Sequence, residues 1–401
     1  MNFIHVAVWL LALLLLIPSA LFFAQVLSAY VHGGRRLGAA AAVARASGAD
    51  SAVVAILVPA HDEAAGLAAT LACFRASMRA HDRLVVVADN CSDDTAAIAQ
   101  SAGAEVVERF DTALRGKAYA LEAGLEHLRA QPPGMVLVLD ADCTIAPDFV
   151  ATLAAQCRQH QAPIQSLYLM KAPEGDLRPA SLLAEFAWRI KNWVRPLGGG
   201  VLGFPSNLNG SGMIFPWQQI AAVQVANGNL AEDYKLGIDL LRLGHATRFS
   251  EAAQVLSRFP NSLESRRGQR RRWEHGHLDL ILRTAPGLAG EALSTGHWKL
   301  LGAALDLLIP PLALLAAIAA MSVPLVIIAT LLHTPVLPLH LCVAAWLLLG
   351  AGLTLAWLGW GRDLVPLRVL AAIPGYAIGK LSLYTGYVSG REREWKRTRR
   401  D

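Results

Sequence analysis

The chain has 401 residues, of which 54% are hydrophobic and 17% are charged, with a net charge of +5. This composition is too apolar for an ordinary soluble protein, and the middle of the chain is too charged for a transporter made only of spans. The basic residues flank apolar segments and form no platform with aromatic residues, so no nucleic acid is expected as a partner.

The first predicted element is a transmembrane helix within residues 1–32. Residues 6–29 carry no charge and are long enough to cross about 30 Å of hydrocarbon. A cleaved signal peptide is the alternative, but the apolar core is too long and lacks a clean small-x-small cleavage site. Residues 33–50, rich in glycine and alanine, are predicted to be a linker.

A central domain, 51–285, follows the linker. Continuous apolar runs at 53–58, 84–88 and 135–139 predict strands that are buried on both faces of a sheet. Helix-forming stretches between them predict an α/β fold, with a Rossmann-like sheet and helices on both of its faces. Residues 186–217 are predicted to be less regular.

Polar motifs follow the three predicted strands, where ligands of such sheets bind. They are Pro59-Ala60-His61-Asp62-Glu63, Asp89-Asn90 and Asp140-Ala141-Asp142. Asp140 and Asp142 can together bind one hard cation, Mg²⁺ or Mn²⁺. A solvated loop is the alternative for this pair. Asp89 can accept hydrogen bonds from a base edge, or it can cap the helix that follows.

Further polar motifs occur later in the domain. Lys117 at a predicted helix start favours a phosphate. In Glu232-Asp233 a carboxylate can deprotonate an acceptor hydroxyl, although a surface acidic pair is the alternative. Gly210-Ser211 lies in a glycine-rich stretch where backbone can approach a ligand, with a simple turn as the alternative. The arginines of 266–272 can neutralise a diphosphate or flank the membrane, and Trp273 offers a sugar ring a flat face.

The C-terminal region, 297–390, is again apolar. We predict two spans, 311–332 and 340–360, and an apolar segment at 364–388 that contains Arg368 and Lys380. That segment can span, re-enter or lie in the interface. The basic tail 391–401 and the other charges beside the spans place the central domain in the cytoplasm, which favours an interfacial or re-entrant segment. A multi-pass protein of a bacterial-type inner (plasma) membrane is expected.

In combination, these motifs resemble those of membrane-bound family 2 glycosyltransferases with a GT-A catalytic domain. The Gln-x-x-Arg-Trp element is typical of cellulose, chitin, hyaluronan and poly-N-acetylglucosamine synthases and of related exopolysaccharide glycosyltransferases. The resemblance covers residues 52–277 and the membrane arrangement around them. It is carried by Val58–Glu63, Val86–Asn90, Arg115–Lys117, Asp140–Asp142, Ala231–Asp233 and Gln269–Trp273.

The resemblance implies an inverting, metal-dependent transfer of a sugar from a UDP-sugar to a saccharide or lipid-linked glycan. This reaction would take place at the cytoplasmic membrane face, in exopolysaccharide or cell-surface polysaccharide synthesis. The expected partners are the donor, the acceptor, membrane lipids and other polysaccharide-synthesis subunits. Transfer of one sugar to a lipid, such as a polyprenyl phosphate or a sphingolipid, is one alternative. A non-catalytic scaffold of a secretion complex is another.

The resemblance also implies roles for individual residues. Pro59, His61 and Glu63 would line the nucleotide pocket, Asp89 would contact uracil, and Lys117 would contact the diphosphate. Asp140 and Asp142 would hold metal and donor, and Asp233 would be the general base. Gln269, Arg272 and Trp273 would hold the diphosphate and the acceptor, with Gly210, Ser211 and Glu232 nearby. His61-Asp62-Glu63 replaces the usual aromatic-Asn-Glu, which leaves base stacking there open.

Overall fold

The computed structural model describes residues 3–46, 52–226, 232–332 and 335–389, and the statements below refer to these ranges. The strands are β1 (Val54–Ala60), β2 (Arg83–Asp89), β3 (Glu105–Arg109), β4 (Met135–Val138), β5 (Thr144–Ile145), β6 (Ile164–Lys171), β7 (Met213–Pro216) and β8 (Arg248–Arg258). The predicted tail 391–401 and Ala231 of the Ala231–Asp233 motif lie outside the described residues.

Helices surround these strands. They are α1 (Phe3–Ala46), α2 (Ala64–Ser77), α3 (Thr95–Ser101), α4 (Lys117–Arg129), α5 (Phe149–His160), α6 (Pro179–Arg189), α7 (Arg195–Val201), α8 (Trp217–Ile220), α9 (Glu232–Arg242), α10 (Leu263–Asp279), α11 (Ala285–Thr295), α12 (Trp298–Leu307), α13 (Leu312–Leu331), α14 (Leu337–Trp360), α15 (Leu367–Leu370), α16 (Ile373–Gly379) and α17 (Leu381–Ser389). Two π-helical turns, Ile190–Val194 and Leu280–Thr284, join α6 to α7 and α10 to α11.

The strands form one mixed sheet in the order β3-β2-β1-β4-β7-β6-β8-β5. Strands β3, β2, β1 and β4 are parallel, and β7 runs antiparallel to both β4 and β6. Strand β8 is parallel to β6 and antiparallel to β5. The prediction of a mixed α/β sheet with membrane-length helices is confirmed.

Helices cover both faces of the sheet. Ile56 and Leu57 of β1 belong to different apolar clusters, because successive side chains of a strand point to opposite faces. Phe74 of α2 and Phe149 of α5 pack on the Ile56 side, and Leu125 of α4 packs on the Leu57 side. This layering fixes the loops at the carboxyl ends of β1, β2 and β4 relative to one another.

Two segments are more helical than predicted. Helix α1 continues to Ala46, so the predicted linker 33–50 is helical over 33–46, where alanine, the strongest helix former, is frequent. The stretch 186–217, predicted to be less regular, is helical as far as Val201. Its apolar side chains, such as Phe186, pack in one cluster with the long C-terminal helices, and this packing stabilises the helix.

Three helices are long and apolar enough to cross a membrane: His5–His32 within α1, Leu312–Leu331 and Leu337–Trp360. The last begins three residues before the predicted span 340–360, with Pro338 in its first turn, a favoured position for proline. The segment 364–388 is divided among α15, α16 and α17, none of which has the roughly 20 residues of a spanning helix.

A buried polar network joins the first helix to the rest of the protein. Arg195 of α7 donates to Gln25 of α1 (Nε to Oε1, 3.0 Å) and to Asp306 of α12 (Nη2 to Oδ1, 2.9 Å). Gln25 Nε2 donates to the same Asp306 oxygen at 2.6 Å, and Asn207 donates to the other. The network therefore links α1, α7 and α12 with the loop before Gly210.

Breaking this network is expected to destabilise the fold strongly. Asp306→Ala would leave the Arg195 guanidinium, 7% exposed, without its counter-charge, which costs about 3–5 kcal/mol for buried pairs. The measurement is thermal unfolding of the full chain in detergent. Glu291→Ala, which breaks a more exposed pair with Arg242, is the control and should lower the Tm much less. Equal Tm losses for the two variants would contradict this role.

Candidate active site

A cavity of about 440 Å³ lies at the carboxyl ends of β1, β2 and β4, and we call it the main cavity. All residues of the predicted site except Ser211 line it. They are Pro59, His61, Glu63, Asp89, Lys117, Asp140, Asp142, Gly210, Glu232, Asp233, Gln269, Arg272 and Trp273. Ser211 is fully buried, and its hydroxyl accepts a hydrogen bond from the backbone N–H of Asp140 at 3.1 Å. Ser211 therefore positions Asp140 and is not part of the cavity wall.

The loops after β1 and β2 are locked together. Asp62 and Asn90 have φ values of 51° and 54°, in the left-handed region that aspartate and asparagine tolerate better than most residues. Asp62 Oδ1 accepts from the backbone N–H of Ser92 at 2.6 Å, and His61 Nδ1 donates to the carbonyl of Asp89 at 2.6 Å. These bonds fix the part of the cavity where the resemblance places the nucleotide.

Asp89 is held from two sides. Arg109 Nη1 and Asn90 Nδ2 both donate to Asp89 Oδ1, at 2.7 and 3.0 Å, and the residue is 6% exposed. The alternative of helix capping does not apply, because α3 begins at Thr95 with Asp94 at its N-cap position. Asp89 is therefore a preorganised carboxylate at the wall of the main cavity.

Lys117 connects three parts of the site. It begins α4, forms an ion pair with Asp140, and donates to the carbonyl of Gly210 at 2.5 Å. Gly210 has a φ of +85°, a backbone conformation that residues with a side chain rarely adopt. In this conformation its carbonyl accepts the hydrogen bond from Lys117. Burial is the largest single influence and would lower the pKa of Lys117, but the charge and hydrogen bond of Asp140, together with the charges of Glu232 and Asp233, raise the pKa, so the lysine stays cationic.

Asp140 and Asp142 form the most suitable cation site in the main cavity. Their carboxylate oxygens and the sulfur of Cys143 lie within 4.8 Å of one another. Ser257 Oγ donates to Asp142 Oδ2 at 2.7 Å and orients it. Burial and the neighbouring aspartates raise the pKa of Cys143, so its thiol stays protonated. Two carboxylates beside a neutral thiol fit a hard divalent cation better than a soft one.

Glu232 and Asp233 begin α9 and face the main cavity across from Lys117. Burial raises the pKa of Glu232 to about 7, and the Asp233 charge adds to the effect. Burial likewise raises the pKa of Asp233, while the charges of Lys191 and Lys117 oppose the rise. A carboxylate with a raised pKa that is still ionised near neutral pH suits a general base.

Helix α10 presents one face to the main cavity. Ser262 caps its start by accepting from the N–H of Ser265 at 3.1 Å. The lining residues that follow have the spacing of one helical face, because i, i+3, i+4 and i+7 positions lie on one side. They are Gln269, Arg272, Trp273, Gly276 and His277. The Gln-x-x-Arg-Trp spacing thus brings an amide, a guanidinium and an indole to the same surface.

Trp273 is packed against a second indole that the sequence did not reveal. The rings of Trp273 and Trp188 have centroids 4.9 Å apart and planes inclined by 41°. Trp188 Nε1 donates to the carbonyl of Tyr168 at 3.0 Å, and its ring also contacts Phe259 edge-on. The predicted acceptor-contacting tryptophan is thus one half of a fixed aromatic pair.

Two further polar residues of the cavity wall, Lys191 and His277, were not assigned to the site from the sequence. Lys191 lies in the π-helical turn after α6, with its ammonium over the rings of Trp188 (5.4 Å) and Tyr234 (5.7 Å). His277, to which no role was given from the sequence, lines the cavity and donates to the carbonyl of Ile309 at 3.1 Å. Burial lowers the pKa of His277 to about 3, so it is neutral.

Comparison with known protein families gives a direct result. The family described as "Glycosyl transferase family group 2" matches residues 135–358, more than half of the chain. The chain belongs to this family. A second description, "Glycosyl transferase family 2", matches residues 55–199. These two ranges include every residue of the predicted site. No curated protein sequence matches the chain significantly.

One of the solved glycosyltransferases similar to this chain supports its fold. A mannosyltransferase from Pyrobaculum calidifontis, solved with GDP-Man and Mn²⁺, is 15% identical with a TM-score of 0.50; the alignment covers 95% of this chain and 100% of that one. Glucosyl-3-phosphoglycerate synthase from Mycobacterium tuberculosis, solved with Mn²⁺, UDP and phosphoglyceric acid, is 24% identical with a TM-score of 0.37, over 54% and 72% of the two chains. The first similarity confirms the predicted GT-A-like fold; the second is too distant to add to it.

Proposed function

We propose that this family member transfers a sugar from a UDP-sugar to a hydroxyl of a saccharide or lipid-linked glycan at the cytoplasmic face of a membrane. The observation that carries the proposal is the arrangement in the main cavity. The carboxylate pair Asp140–Asp142 and Lys117 lie at the strand ends, and Asp233 and Arg272 line the same cavity from α9 and α10. The side of the cavity at the strand ends can hold a diphosphate, and the side formed by α9 and α10 can activate and orient an acceptor.

The donor side of the cavity fits a nucleoside diphosphate. Pro59, His61 and Asp89 would bind the uridine, and Lys117 would exchange its contact with Asp140 for the diphosphate. Asp142 and Asp140 would hold Mg²⁺ or Mn²⁺, and Mn²⁺ accompanies the donor in the solved mannosyltransferase. A bound cation would neutralise charge that develops on the departing diphosphate.

The acceptor side supplies the base. Asp233 Oδ2 would take the proton of the acceptor hydroxyl as the oxygen attacks the anomeric carbon, and the C–O bond to the diphosphate would break on the opposite side. Such a single displacement inverts the anomeric configuration. Arg272 would stabilise the leaving diphosphate, and Trp273 would contact the acceptor sugar through its ring face. The reaction yields a β-linked product and UDP.

The stereochemistry and the acceptor are tested together. The purified chain in nanodiscs is supplied with an α-linked UDP-sugar and, side by side, a polyprenyl diphosphate-linked saccharide and an unglycosylated lipid. We expect a β-linked product on the saccharide, identified by NMR and mass spectrometry. An α-linkage would contradict single displacement, and a product only on the unglycosylated lipid would contradict the proposed acceptor.

Lys191 gives the proposed base a measurable pH dependence. Its charge lowers the pKa of Asp233 against the effect of burial. Lys191→Met removes that charge, so the Asp233 pKa rises further and the acid limb of kcat/KM should move to higher pH. Lys235→Met is the control, because Lys235 pairs with Asp239 on the same helix as Asp233. An acid limb that is unmoved in Lys191→Met, or moved equally in both variants, would contradict the assignment.

A further inference from the structure

A second pocket of about 130 Å³ adjoins the main cavity, and we call it the membrane-side pocket. The two share Trp188, Lys191, Trp273 and His277 in their walls. The membrane-side pocket is less than a third of the size of the main cavity, so it suits one compact group better than a polymer. A molecule that enters it can still reach Asp233 through the shared wall.

The far wall of the membrane-side pocket belongs to the membrane region. Pro310, Pro311 and Leu312 line it where α13 begins, and α13 is one of the three helices of membrane length. Tyr376 of α16 lines the same side. Apolar residues predominate in the wall, and they lead from the aromatic pair Trp188–Trp273 to the start of a spanning helix. A ligand with a hydrocarbon portion fits this path.

The charges of the membrane-side pocket are predominantly positive. Its wall contains four cationic side chains and one carboxylate: Lys191, Arg195, Arg270, Lys380 and Glu274. Two of the cations have partners, since Arg195 pairs with Asp306 at 2.9 Å and Lys380 with Glu274 at 2.6 Å. The wall therefore holds more cations than its own acids neutralise.

The other two cations lack such partners. Within the described residues, Lys191 and Arg270 form no hydrogen bond or ion pair; each lies over an aromatic ring, Arg270 over Phe259 at 5.9 Å. Buried or half-buried charges are costly unless they are paired. Guanidinium and ammonium groups at one small pocket fit the oxygens of a phosphate group. An anionic group is therefore the complementary ligand.

We propose that the membrane-side pocket binds the diphosphate of a lipid-linked acceptor, with Arg270 and Lys191 as its ligands. This inference rests on the proposed function and assigns the acceptor class. The lipid chain would lie along Pro310–Leu312 towards the bilayer, and the sugar would contact Trp273 with a hydroxyl at Asp233. The main cavity and the membrane-side pocket share wall residues, which suits an acceptor with few sugars on its diphosphate.

Binding without any donor tests the inference. Farnesyl diphosphate is titrated calorimetrically into the full chain in detergent micelles, beside farnesol and inorganic pyrophosphate. We expect farnesyl diphosphate to bind at least tenfold more tightly than either of the other two. Arg270→Gln and Lys191→Met should each weaken its binding about tenfold, and Arg270→Lys should restore part of it.

The control separates this pocket from other basic surfaces. Arg267→Gln removes an exposed arginine on the same helix that is not in the pocket wall, and it should leave binding unchanged. An equal loss in Arg267→Gln and Arg270→Gln would overturn the inference. Displacement of the probe by UDP would overturn it too, because the probe would then lie in the main cavity. Equal affinity for pyrophosphate or for farnesol would exclude a lipid diphosphate.

Failure of the inference can be told apart from failure of the proposed function. Selective probe binding with no sugar transfer from any UDP-sugar would leave the pocket assignment standing and contradict the transferase proposal. Two results together would leave the transferase proposal standing and contradict the pocket assignment. They are sugar transfer to a neutral alkyl glycoside at the rate seen with the lipid diphosphate, and equal probe binding by wild type and Arg270→Gln.

Discussion

Asp233→Asn is expected to lower kcat for sugar transfer by about 10²–10⁴-fold, the usual contribution of a general base. Asparagine has nearly the same shape as aspartate, but its amide cannot take a proton from the acceptor. The donor side of the cavity does not depend on this carboxylate, so UDP affinity should change little. Transfer is measured with a radiolabelled UDP-sugar, and UDP affinity by calorimetry on the same preparations.

The control for this substitution lies on the same helix. Asp239→Asn also replaces an aspartate of α9, but Asp239 pairs with Lys235 and does not line the main cavity. It should retain transfer within about twofold, the scale of a minor surface effect. Near-wild-type transfer by Asp233→Asn would show that another group is the base, with Glu232 as the first candidate because its pKa is raised to about 7.

Asp142→Ala is expected to abolish the dependence of UDP affinity on Mn²⁺. Asp142 is one of two carboxylates at the proposed cation site, and Ser257 orients it. Without it, one remaining carboxylate has to serve both the cation and Lys117. Calorimetric titration of UDP with and without Mn²⁺ should show at least tenfold enhancement by the metal in wild type and almost none in the variant.

The matched control for the cation site is Asp148→Asn. Asp148 is exposed at the N-cap position of α5, and it is outside the main cavity. Its substitution should leave the metal-dependent enhancement of UDP affinity intact. The same enhancement in Asp142→Ala as in wild type would rule out Asp142 as a metal ligand and would require a different cation site.

The strands of the parallel half of the sheet were predictable because each is a continuous apolar run with a polar motif directly after it. The apolar runs of β1, β2 and β4 therefore predict that Glu63, Asp89 and Asp140 lie at one edge of the sheet. Residues 33–50 were predicted to be a linker with no assigned secondary structure, and α1 continues through 33–46, where alanine favours a helix. Strand β8 was not predicted. Only one of its faces is consistently buried, so its sequence lacks the continuous apolar run of β1, β2 and β4.

Tertiary packing brings into the site the residues that were not predicted from the sequence. Trp188 and Lys191 belong to a helical stretch whose apolar side packs on the membrane-length helices. From the sequence, such a stretch indicates a structural role and not a part of the active site. Lys191 gave no distinct local signal, because Arg189 and Arg195 carry the same charge in the same stretch. Only the fold shows that the charge of Lys191 faces Asp233 and borders both cavities.

The most direct test of the central claim is UDP release by the purified chain. A panel of UDP-sugars is incubated with the polyprenyl diphosphate-linked saccharide as acceptor and with wild type, Asp233→Asn or Asp142→Ala in nanodiscs, in the presence of Mn²⁺ or of a chelator. We predict that wild type with Mn²⁺ releases UDP from at least one sugar, and that chelation or either substitution removes that activity. UDP release at the same rate by wild type and both variants, or no release from any UDP-sugar in the presence of acceptor, would contradict a glycosyltransferase site in the main cavity.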